Sequence, residues 1–138
     1  DDIAGLVQNF ASTDLAARLA QAGRVRREHT FSFALGATTL NGVVDVMAQE
    51  ADGTTLVVDY KTDRIAAGDT PAALVERDYD VQRRLYALAV LKTGAPGVEV
   101  AYAFLERPDQ PVATTYTQQD AERAADGDDG VGLGSGLV

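Results

Sequence analysis

The sequence predicts an α/β fold in which the elements follow one another in the order helices, three strands, helix, two strands. Two observations support this prediction. Apolar residues recur every three or four positions over 3–22 and 78–92, as they do on the buried face of a helix. Short runs of alternating or continuous apolar residues predict strands over 25–35, 40–48, 55–60, 98–105 and 112–117.

The N-terminal segment is expected to form two helices followed by a strand. Ser12-Thr13 interrupts the first helical pattern and can cap the second helix, which Gly23 is expected to end. In the strand that follows, Phe31, Phe33 and Leu35 alternate with smaller residues. One face of this strand is therefore expected to be buried.

The second and third predicted strands are expected to form a hairpin, because an Asp-Gly pair separates them. In a three-residue loop, Ala51-Asp52-Gly53 with the glycine left-handed, Glu50 pairs with Thr54 and Asp45 falls opposite Asp59. A two-residue loop would shift the register by one residue and send the two aspartates to opposite faces of the sheet. The loop type therefore decides whether their carboxylates meet.

The next predicted helix follows a segment, 62–77, that is expected to be a loop with a short helical turn. Asp78 is expected to cap the helix, which runs through Lys92. Its predicted inward stripe consists of Val81, Leu85, Leu88 and Ala89.

Composition limits the kind of site that the chain can form. One domain is expected over 1–125, followed by a disordered Gly/Asp-rich tail over 126–138. With no cysteine and one histidine, thiolate-bound metal clusters and multi-histidine sites are excluded. Any metal must be bound mainly by oxygen, and 21 acidic side chains supply that ligand type for hard cations such as Mg²⁺ or Mn²⁺.

Asp59 and Lys61 carry the chemistry that the residues themselves suggest. Alternate side chains of a strand share a face, so this carboxylate and this ammonium project together. If Asp45 lies opposite Asp59, the two carboxylates repel, and a divalent cation between them would stabilise the pair. Such a cation could activate a water for attack on a phosphate while Lys61 stabilises the developing charge. The alternatives are an exposed ion pair for Asp59 and Lys61, and a salt-bridged edge residue for Asp45.

Three short patterns together closely resemble the nuclease domain of RecB and AddA helicase–nucleases, which belong to the PD-(D/E)xK superfamily. The patterns are Gly42-Val43-Val44-Asp45, Val57-Val58-Asp59-Tyr60-Lys61-Thr62-Asp63 and Gln82-Arg83-Arg84-Leu85-Tyr86. The resemblance runs from about residue 6 to residue 102. It implies a restriction-endonuclease-like fold, with a mixed β-sheet flanked by helices.

The resemblance also implies the metal ligands and the catalytic lysine. By resemblance, Asp45 and Asp59 bind Mg²⁺ or Mn²⁺ together with the backbone carbonyl of Tyr60, and Lys61 is the catalytic lysine. Glu28 resembles the family's supporting glutamate on the preceding strand, with a surface position as the alternative.

Gln82 and Tyr86 match the family's QxxxY motif. They are four residues apart, hence on one helix face, where both could reach a DNA backbone or the active-site lysine. The alternative for Tyr86 is a core residue with its hydroxyl at the surface. His29 receives no ligand role, because it lies on the glutamate strand rather than on the upstream helix where the family carries its motif-one histidine.

The implied function is Mg²⁺- or Mn²⁺-dependent cleavage of DNA, with single-stranded ends as substrate, in recombination and repair in the bacterial cytoplasm and nucleoid. The implied partners are a parent helicase polypeptide and its partner subunit, with no membrane. Since the motif-one histidine is missing, we expect a fragment of a longer helicase polypeptide or a shortened homologue. A catalytically inactive nuclease-like module, which binds DNA or scaffolds a helicase complex, is the alternative. The net charge of −9 predicts weak DNA affinity for the isolated domain.

Overall fold

A five-stranded mixed sheet forms the centre of the fold in a computed structural model, which describes residues 13–35 and 37–126. The strands, in spatial and chain order, are β1 (Arg24–Leu35), β2 (Thr38–Gln49), β3 (Thr55–Lys61), β4 (Gly97–Phe104) and β5 (Val112–Thr117). Antiparallel pairing joins β1 to β2, β2 to β3 and β4 to β5, whereas β3 and β4 are parallel. All five predicted strands are present, and β5 has the predicted bounds.

Helices lie on both faces of this sheet, which confirms the predicted fold class. They are α1 (Asp14–Gln21), α2 (Pro71–Leu74), a π-helical turn (Val75–Tyr79), α3 (Asp80–Leu91) and α4 (Gln118–Asp126). The segment from α2 to α3 connects β3 to β4, because two parallel neighbours need a crossover between them. In the described part of the chain, no helix combines the length and the apolar character that crossing a bilayer requires.

The two faces of the sheet bury separate apolar clusters. Alternate residues of β3 belong to different clusters, since Val57 packs on the face that α3 covers and Leu56 and Val58 pack on the face that α1 covers. Leu15 and Leu19 supply the contact from α1. β3 is therefore packed on both sides, which is why it has a continuous apolar run. Asp59 and Lys61, at the C-terminal end of β3, therefore belong to a strand that is held by packing on both faces.

The N-terminal cap of α1 is confirmed, and the helix ends close to the predicted Gly23, although that glycine is not left-handed. Thr13 accepts a hydrogen bond from the amide of Ala16 at 3.2 Å. The helix ends at Gln21, because the next residue, Ala22, is extended. The amide of Gly23 donates to the carbonyl of Gln49 at 3.0 Å. Gly23 thus joins the edge of the sheet and does not cap the helix.

Some predictions fall on residues that the structure does not describe. The predicted helix over 3–12 and the Gly/Asp-rich tail from residue 127 onward lie outside the described residues. The side chains of Phe31, Phe33 and Leu35 also lie outside the described set, although the backbone of β1 is described throughout.

The helical crossover is more continuous than the sequence pattern predicts. A loop with a short helical turn is expected over 62–77, and the turn is present as α2, which starts at Pro71 and continues into the π-helical turn. The hydroxyl of Thr70 accepts a hydrogen bond from the amide of Ala73 at 3.1 Å. Threonine followed by proline starts a helix well, because the hydroxyl caps a free amide and proline fits the first helical turn. Asp78 is exposed inside the π-helical turn, so its predicted role as a helix cap is wrong.

The inward face of α3 also differs from the predicted stripe. Leu88 and Ala89 are buried and Leu85 is half-buried, but Val81 is 52% exposed. Arg83 occupies an inward position instead, where it is 8% exposed and bonds to two acidic side chains of the same helical segment. Because a buried charge is tolerated when it is paired, a pattern of apolar residues alone does not find this face.

Helix α4 is an element that the sequence analysis missed. Its sequence is mostly polar, and its apolar face consists of alanines alone, which is a weak pattern from which to predict a helix. Asp120 accepts a hydrogen bond from the amide of Thr117 at 2.7 Å. The side chain of Gln118 donates to the carbonyls of Leu91 and Ala95 at 2.8 and 2.7 Å. These polar contacts tie the start of the helix to the end of α3, and they depend on residues that are distant in sequence.

Candidate active site

The turn between β2 and β3 is the three-residue loop on which the predicted site depends. The amide of Glu50 donates to the carbonyl of Thr54 at 2.9 Å, and Gly53 is left-handed with a φ of +90°. The paired register ends with Val46 opposite Val58. This register places Asp45 and Asp59 next in line, opposite each other.

The ladder between β2 and β3 opens at this point. In an antiparallel ladder every second pair of opposite residues is hydrogen-bonded, and Glu50 with Thr54 is one such pair. Continued without interruption, this pattern would bond the amide of Tyr60 to the carbonyl of Val44. That amide donates instead to the Oδ2 atom of Asp45 at 2.7 Å. The carboxylate therefore replaces a backbone acceptor and is held in the gap between the strands.

The strand β2 is irregular around Asp45. Val44 packs in the cluster on the α3 side and Val46 in the cluster on the α1 side, although residues two apart normally share a face. On β1, Arg27 pairs with Val46 and the register places Glu28 beside Asp45. Glu28 has a φ of +51°, which a residue with a side chain rarely adopts. Both strands thus depart from regular geometry in the same row, as bulged strands beside functional sites often do.

Three acids are aligned side by side across the neighbouring strands β1, β2 and β3: Glu28, Asp45 and Asp59. The side chain of Glu28 is exposed, so the structure puts it beside the site rather than inside it. Asp45 and Asp59 are closer, since their carboxyl groups lie within hydrogen-bonding reach of each other. Asp45 is on an interior strand of the sheet, which rules out the edge-residue alternative.

Asp59 is buried between a carboxylate, a phenol and an ammonium. The hydroxyl of Tyr86 lies 3.1 Å from its Oδ2 atom, and the Nζ atom of Lys61 lies 3.5 Å from the same oxygen. Burial raises the pKa of Asp59 to about 6, and contact with Asp45 acts in the same direction, while Lys61 opposes the shift. The two carboxylates therefore carry more negative charge than one lysine neutralises.

Lys61 is enclosed by aromatic rings as well as by Asp59. Its Nζ atom lies 4.1 Å from the centre of the Tyr79 ring and 5.6 Å from that of Tyr102. The two rings stack on each other with their centres 5.4 Å apart. Because its side chain is only 15% exposed, Lys61 is not the exposed half of a surface ion pair.

The two residues of the QxxxY motif both reach the site, but by different routes. Tyr86 contacts Asp59 directly, and its hydroxyl also lies 3.3 Å from the carbonyl of Val43. Gln82 accepts a hydrogen bond from the hydroxyl of Tyr102 at 2.8 Å. Gln82 thus approaches Lys61 through an intervening ring. The side chain of His29 is outside the described residues.

Comparison with known proteins identifies the family of this chain. A model of the PD-(D/E)XK nuclease superfamily matches residues 5–130. The chain belongs to the PD-(D/E)XK nuclease superfamily. Among solved structures, a candidate exonuclease from Eubacterium rectale superposes with a TM-score of 0.52 at 12% identity, covering 98% of this chain and 53% of that one. At this identity the likeness shows the fold alone.

Similar sequences occur in proteins that are named as subunits of ATP-dependent helicase/nucleases. The relative from Alkaliphilus metalliredigens is 32% identical over 122 residues, which cover 78% of this chain and 10% of the relative. The relative from Bacillus cereus is 35% identical over 106 residues, covering 63% and 8%. That from Desulforamulus reducens is 36% identical over 99 residues, covering 61% and 8%. The chain spans about a tenth of the length of these relatives.

PD-(D/E)XK nucleases generally use divalent metal ions, and the donors at this site fit a hard cation. The carboxyl group of Asp45 helps to raise the pKa of Asp59, and two interacting carboxylates beside one lysine favour a cation between them. Within residues 13–35 and 37–126, however, no group of three or more His, Asp or Glu side chains is arranged to hold a metal ion. The remaining ligands would have to be backbone oxygens or water.

Sequence reasoning assigned no role to three residues of this candidate site: Asp63, Tyr79 and Tyr102. Asp63 lies two residues beyond Lys61, so the strand alternation that linked Asp59 to Lys61 could have suggested it. Tyr79 lies three residues before Gln82, which is also a spacing for neighbours on a helix. Tyr102 pairs with Asp59 across the parallel strands, and no local signal indicates that pairing.

Proposed function

We propose that this domain hydrolyses DNA phosphodiester bonds with Mg²⁺ or Mn²⁺ as cofactor, as the nuclease module of a helicase–nuclease. One observation carries the proposal: the carboxyl groups of Asp45 and Asp59 meet in an opened β-ladder beside the buried ammonium of Lys61. Membership of a nuclease superfamily and similarity to helicase/nuclease subunits support it.

The residues that would hold the cation are Asp45, Asp59 and the backbone carbonyl of Tyr60. When bound there, a divalent cation would polarise a phosphate oxygen and lower the pKa of a water molecule. Glu28, which lies in the same row on β1, is a supporting acid in this proposal. All of these groups offer hard oxygen donors, the ligand type that Mg²⁺ and Mn²⁺ prefer.

The chain prepares these groups through its own hydrogen bonds. The amide of Tyr60 fixes the carboxylate of Asp45, and the hydroxyl of Tyr86 fixes that of Asp59. Lys61 places a positive charge beside the same carboxylate, where a phosphate oxygen would gain negative charge during attack. We assign charge stabilisation to Lys61, orientation of a ligand to Tyr86 and support of the lysine's surroundings to Gln82.

Single-stranded DNA ends are the proposed substrate, delivered by a helicase to which the domain is joined. The relatives are named as subunits of ATP-dependent helicase/nucleases, which suggests a parent motor polypeptide and a second subunit as partners. A domain with a net charge of −9 would bind DNA weakly alone, but tethering to a motor raises the effective concentration of substrate. The organisms of these relatives are bacteria, and the proposed location is the cytoplasm and nucleoid.

Cleavage of labelled single-stranded DNA by the domain, and by a polypeptide that contains its helicase, tests the proposal. We expect cleavage with Mg²⁺ or Mn²⁺, none with EDTA, and loss of cleavage in Asp59→Ala and Lys61→Ala. Asp109→Asn is the matched control, because this exposed acid lies in the turn between β4 and β5. Metal-independent cleavage, or full cleavage by Asp59→Ala, would contradict the proposed chemistry.

The second candidate is a nuclease-like module that binds DNA or scaffolds a helicase complex without cleaving. One observation favours it: the described residues provide two neighbouring carboxylates but no cluster of three metal-binding side chains. If the wild-type domain binds single-stranded DNA and remains inert within its helicase-containing parent, this candidate replaces the first. A divalent cation should then leave the melting temperature of the domain unchanged.

A further inference from the structure

We propose that Tyr79 and Tyr102 are positioning residues that hold the ammonium of Lys61 against their ring faces. The catalytic role of this contact rests on the proposed function, whereas the contact between the ammonium and the rings is a feature of the structure itself. The hydroxyls of the two tyrosines bond to Asp63 and Gln82, whereas that of Tyr86 bonds to the carboxylate of Asp59. Their part in the site therefore differs from that of Tyr86.

The geometry of the three side chains supports this role. The ammonium lies 4.1 Å from the centre of the Tyr79 ring, which is within the range of a cation–π contact, and 5.6 Å from that of Tyr102. The rings are nearly parallel, with 23° between their planes. Tyr102 is fully buried and the lysine side chain is 15% exposed, so the contact is largely shielded from water. Shielding strengthens the attraction between a cation and a ring face.

Both rings are fixed by hydrogen bonds at their outer ends. The hydroxyl of Tyr79 donates to the Oδ2 atom of Asp63 at 2.9 Å, and that of Tyr102 donates to the Oε1 atom of Gln82 at 2.8 Å. Asp63 follows β3 and Gln82 belongs to α3. The aromatic pair therefore joins the strand that bears the lysine to the helix of the crossover.

The π-helical turn explains how Tyr79 reaches the lysine. Tyr79 is its last residue, and its φ of −124° and ψ of 8° depart from helical values. A π-helical turn contains an additional residue, which changes the direction of the side chains that follow, and such turns are frequent at functional sites. The irregular residue at the junction with α3 is thus the one that covers the ammonium.

Aromatic faces suit a lysine that must interact with a phosphate. Within the described residues, Lys61 forms one ion pair, with Asp59 at 3.5 Å. A second carboxylate would compete with a phosphate for the N–H donors of the lysine, whereas a ring face attracts the cation without accepting a conventional hydrogen bond. The rings can hold the ammonium in place and leave its donors available.

The contact can be tested without measuring activity, because the sequence contains only two lysines, Lys61 and Lys92. Reductive ¹³C-methylation keeps the charge of both and gives two dimethyl-lysine NMR signals, with the exposed Lys92 as internal reference. In the wild type we expect the Lys61 signal to be shifted upfield by the rings. Tyr79→Leu should move it toward the Lys92 signal, and Tyr79→Phe should preserve it. A Lys61 signal that stays in place in Tyr79→Leu overturns the contact.

Kinetics then test whether the contact positions the lysine for reaction. Tyr79→Leu should lower kcat by about tenfold with little change in KM, the effect expected for losing a shielded cation–π contact. Tyr79→Phe retains the ring and should recover kcat to within about threefold of wild type. Equal loss in the Leu and Phe variants would assign the effect to the bond with Asp63 and overturn the role of the ring.

The two proposals fail in different ways. A wild type that does not cleave DNA, but whose Lys61 signal responds to Tyr79→Leu as expected, contradicts the proposed function and supports the contact. A wild type that cleaves DNA with Mg²⁺, and whose cleavage and Lys61 signal are unaffected by Tyr79→Leu, supports the function and overturns the positioning role. Should Tyr79→Leu fail to fold, Tyr79→Met tests the same contact, because it also removes the ring that lies 4.1 Å from the ammonium and should move the Lys61 signal toward that of Lys92. An unchanged Lys61 signal in Tyr79→Met would then overturn the proposal.

Discussion

The two ends of the β2–β3 hairpin each bring two carboxylates to one basic side chain, with different results. At the turn end, Arg18 of α1 makes four hydrogen bonds of 2.7 to 3.1 Å to Glu50 and Glu99. At the opposite end, Lys61 lies 3.5 Å from Asp59, which also touches Asp45. Arg18 hydrogen-bonds to both of its acids, whereas Lys61 forms an ion pair with Asp59 alone among the described residues.

The hydrogen bonding distinguishes the turn end, which Arg18 ties together, from the end at which we propose a cation site. A planar guanidinium can bind two carboxylates at once, and this arrangement closes the turn end. A lysine ammonium is a compact charge that cannot fork between two acids in the same way. The two ends therefore carry the same formal charge, but only at the turn end does the basic side chain hold both carboxylates.

Replacing Lys61 by arginine, the residue type that binds the two acids at the turn end, should have the largest effect. In Lys61→Arg the guanidinium would bind the carboxylates of Asp59 and Asp45 by paired hydrogen bonds and occupy the space for a cation. We expect cleavage to fall by about 10²-fold or more. The rise in melting temperature on adding Mg²⁺ should be lost as well. Retention of both properties in a DNA-cleavage assay and a thermal melt would show that the two ends are interchangeable.

Removing the charge of Asp59 should stabilise the metal-free domain. In Asp59→Asn the repulsion with Asp45 and the burial of a charge are both relieved, and we expect a gain of about 1 to 2 kcal/mol in the free energy of unfolding in EDTA. The same variant should lose the stabilisation by Mg²⁺ that wild type shows. Urea unfolding with and without metal measures both effects, with Asp109→Asn as the control. A variant less stable than wild type in EDTA would contradict this account of the pair.

The pH dependence of the metal-free domain should report the burial of Asp59 and its repulsion by Asp45. The folded-state pKa of Asp59, about 6, lies above its ordinary value of 3.8, so the folded state binds this proton more tightly than the unfolded state. The contribution to stability is therefore fully present below about pH 4 and is lost as the pH rises through 6. Urea midpoints between pH 4 and 7 should show this decline for wild type relative to Asp59→Asn. Identical pH profiles for the two proteins would refute it.

Weakening the turn end should have the smallest effect, and only on stability. In Arg18→Lys the four hydrogen bonds cannot all be kept, but the side chain is 37% exposed and solvent screens the charges. We expect a loss of about 1 kcal/mol or less in the free energy of unfolding. Cleavage and the effect of Mg²⁺ on the melting temperature should stay at wild-type levels. A loss of cleavage in this variant would mean that the two ends are coupled through the hairpin.

The hairpin register and the alignment of the site acids could be predicted from the sequence, because each depends on residues that are close in the chain. The Asp-Gly pair at 52–53 favours a left-handed glycine, and that turn sets the alignment of Asp45 with Asp59. Strand alternation places Asp59 and Lys61 on one face. Helical spacing similarly places Gln82 and Tyr86 together.

The missed features are those in which packing overrides a local pattern. The sequence pattern predicts a loop with a short helical turn before residue 78, but not that the turn continues without a break into the next helix, where Leu74 and Val75 are buried. Arg83 takes the place of an expected apolar residue on the inward face of α3 because ion pairs offset its burial. Helix α4 depends on bonds from Gln118 to residues about 25 positions away.

Local sequence was enough to set the strands, the three-residue turn and the spacing of the acids and the lysine, because backbone alternation and turn preference act over a few residues. Long-range packing, by contrast, set the separation of β2 from β3 at Asp45 and the enclosure of Lys61 by Tyr79 and Tyr102. These arrangements join residues up to about 40 positions apart, through a crossover whose path is chosen by burial on the sheet. Local sequence therefore determines which charged residues lie together in the site, and long-range packing determines how they are enclosed.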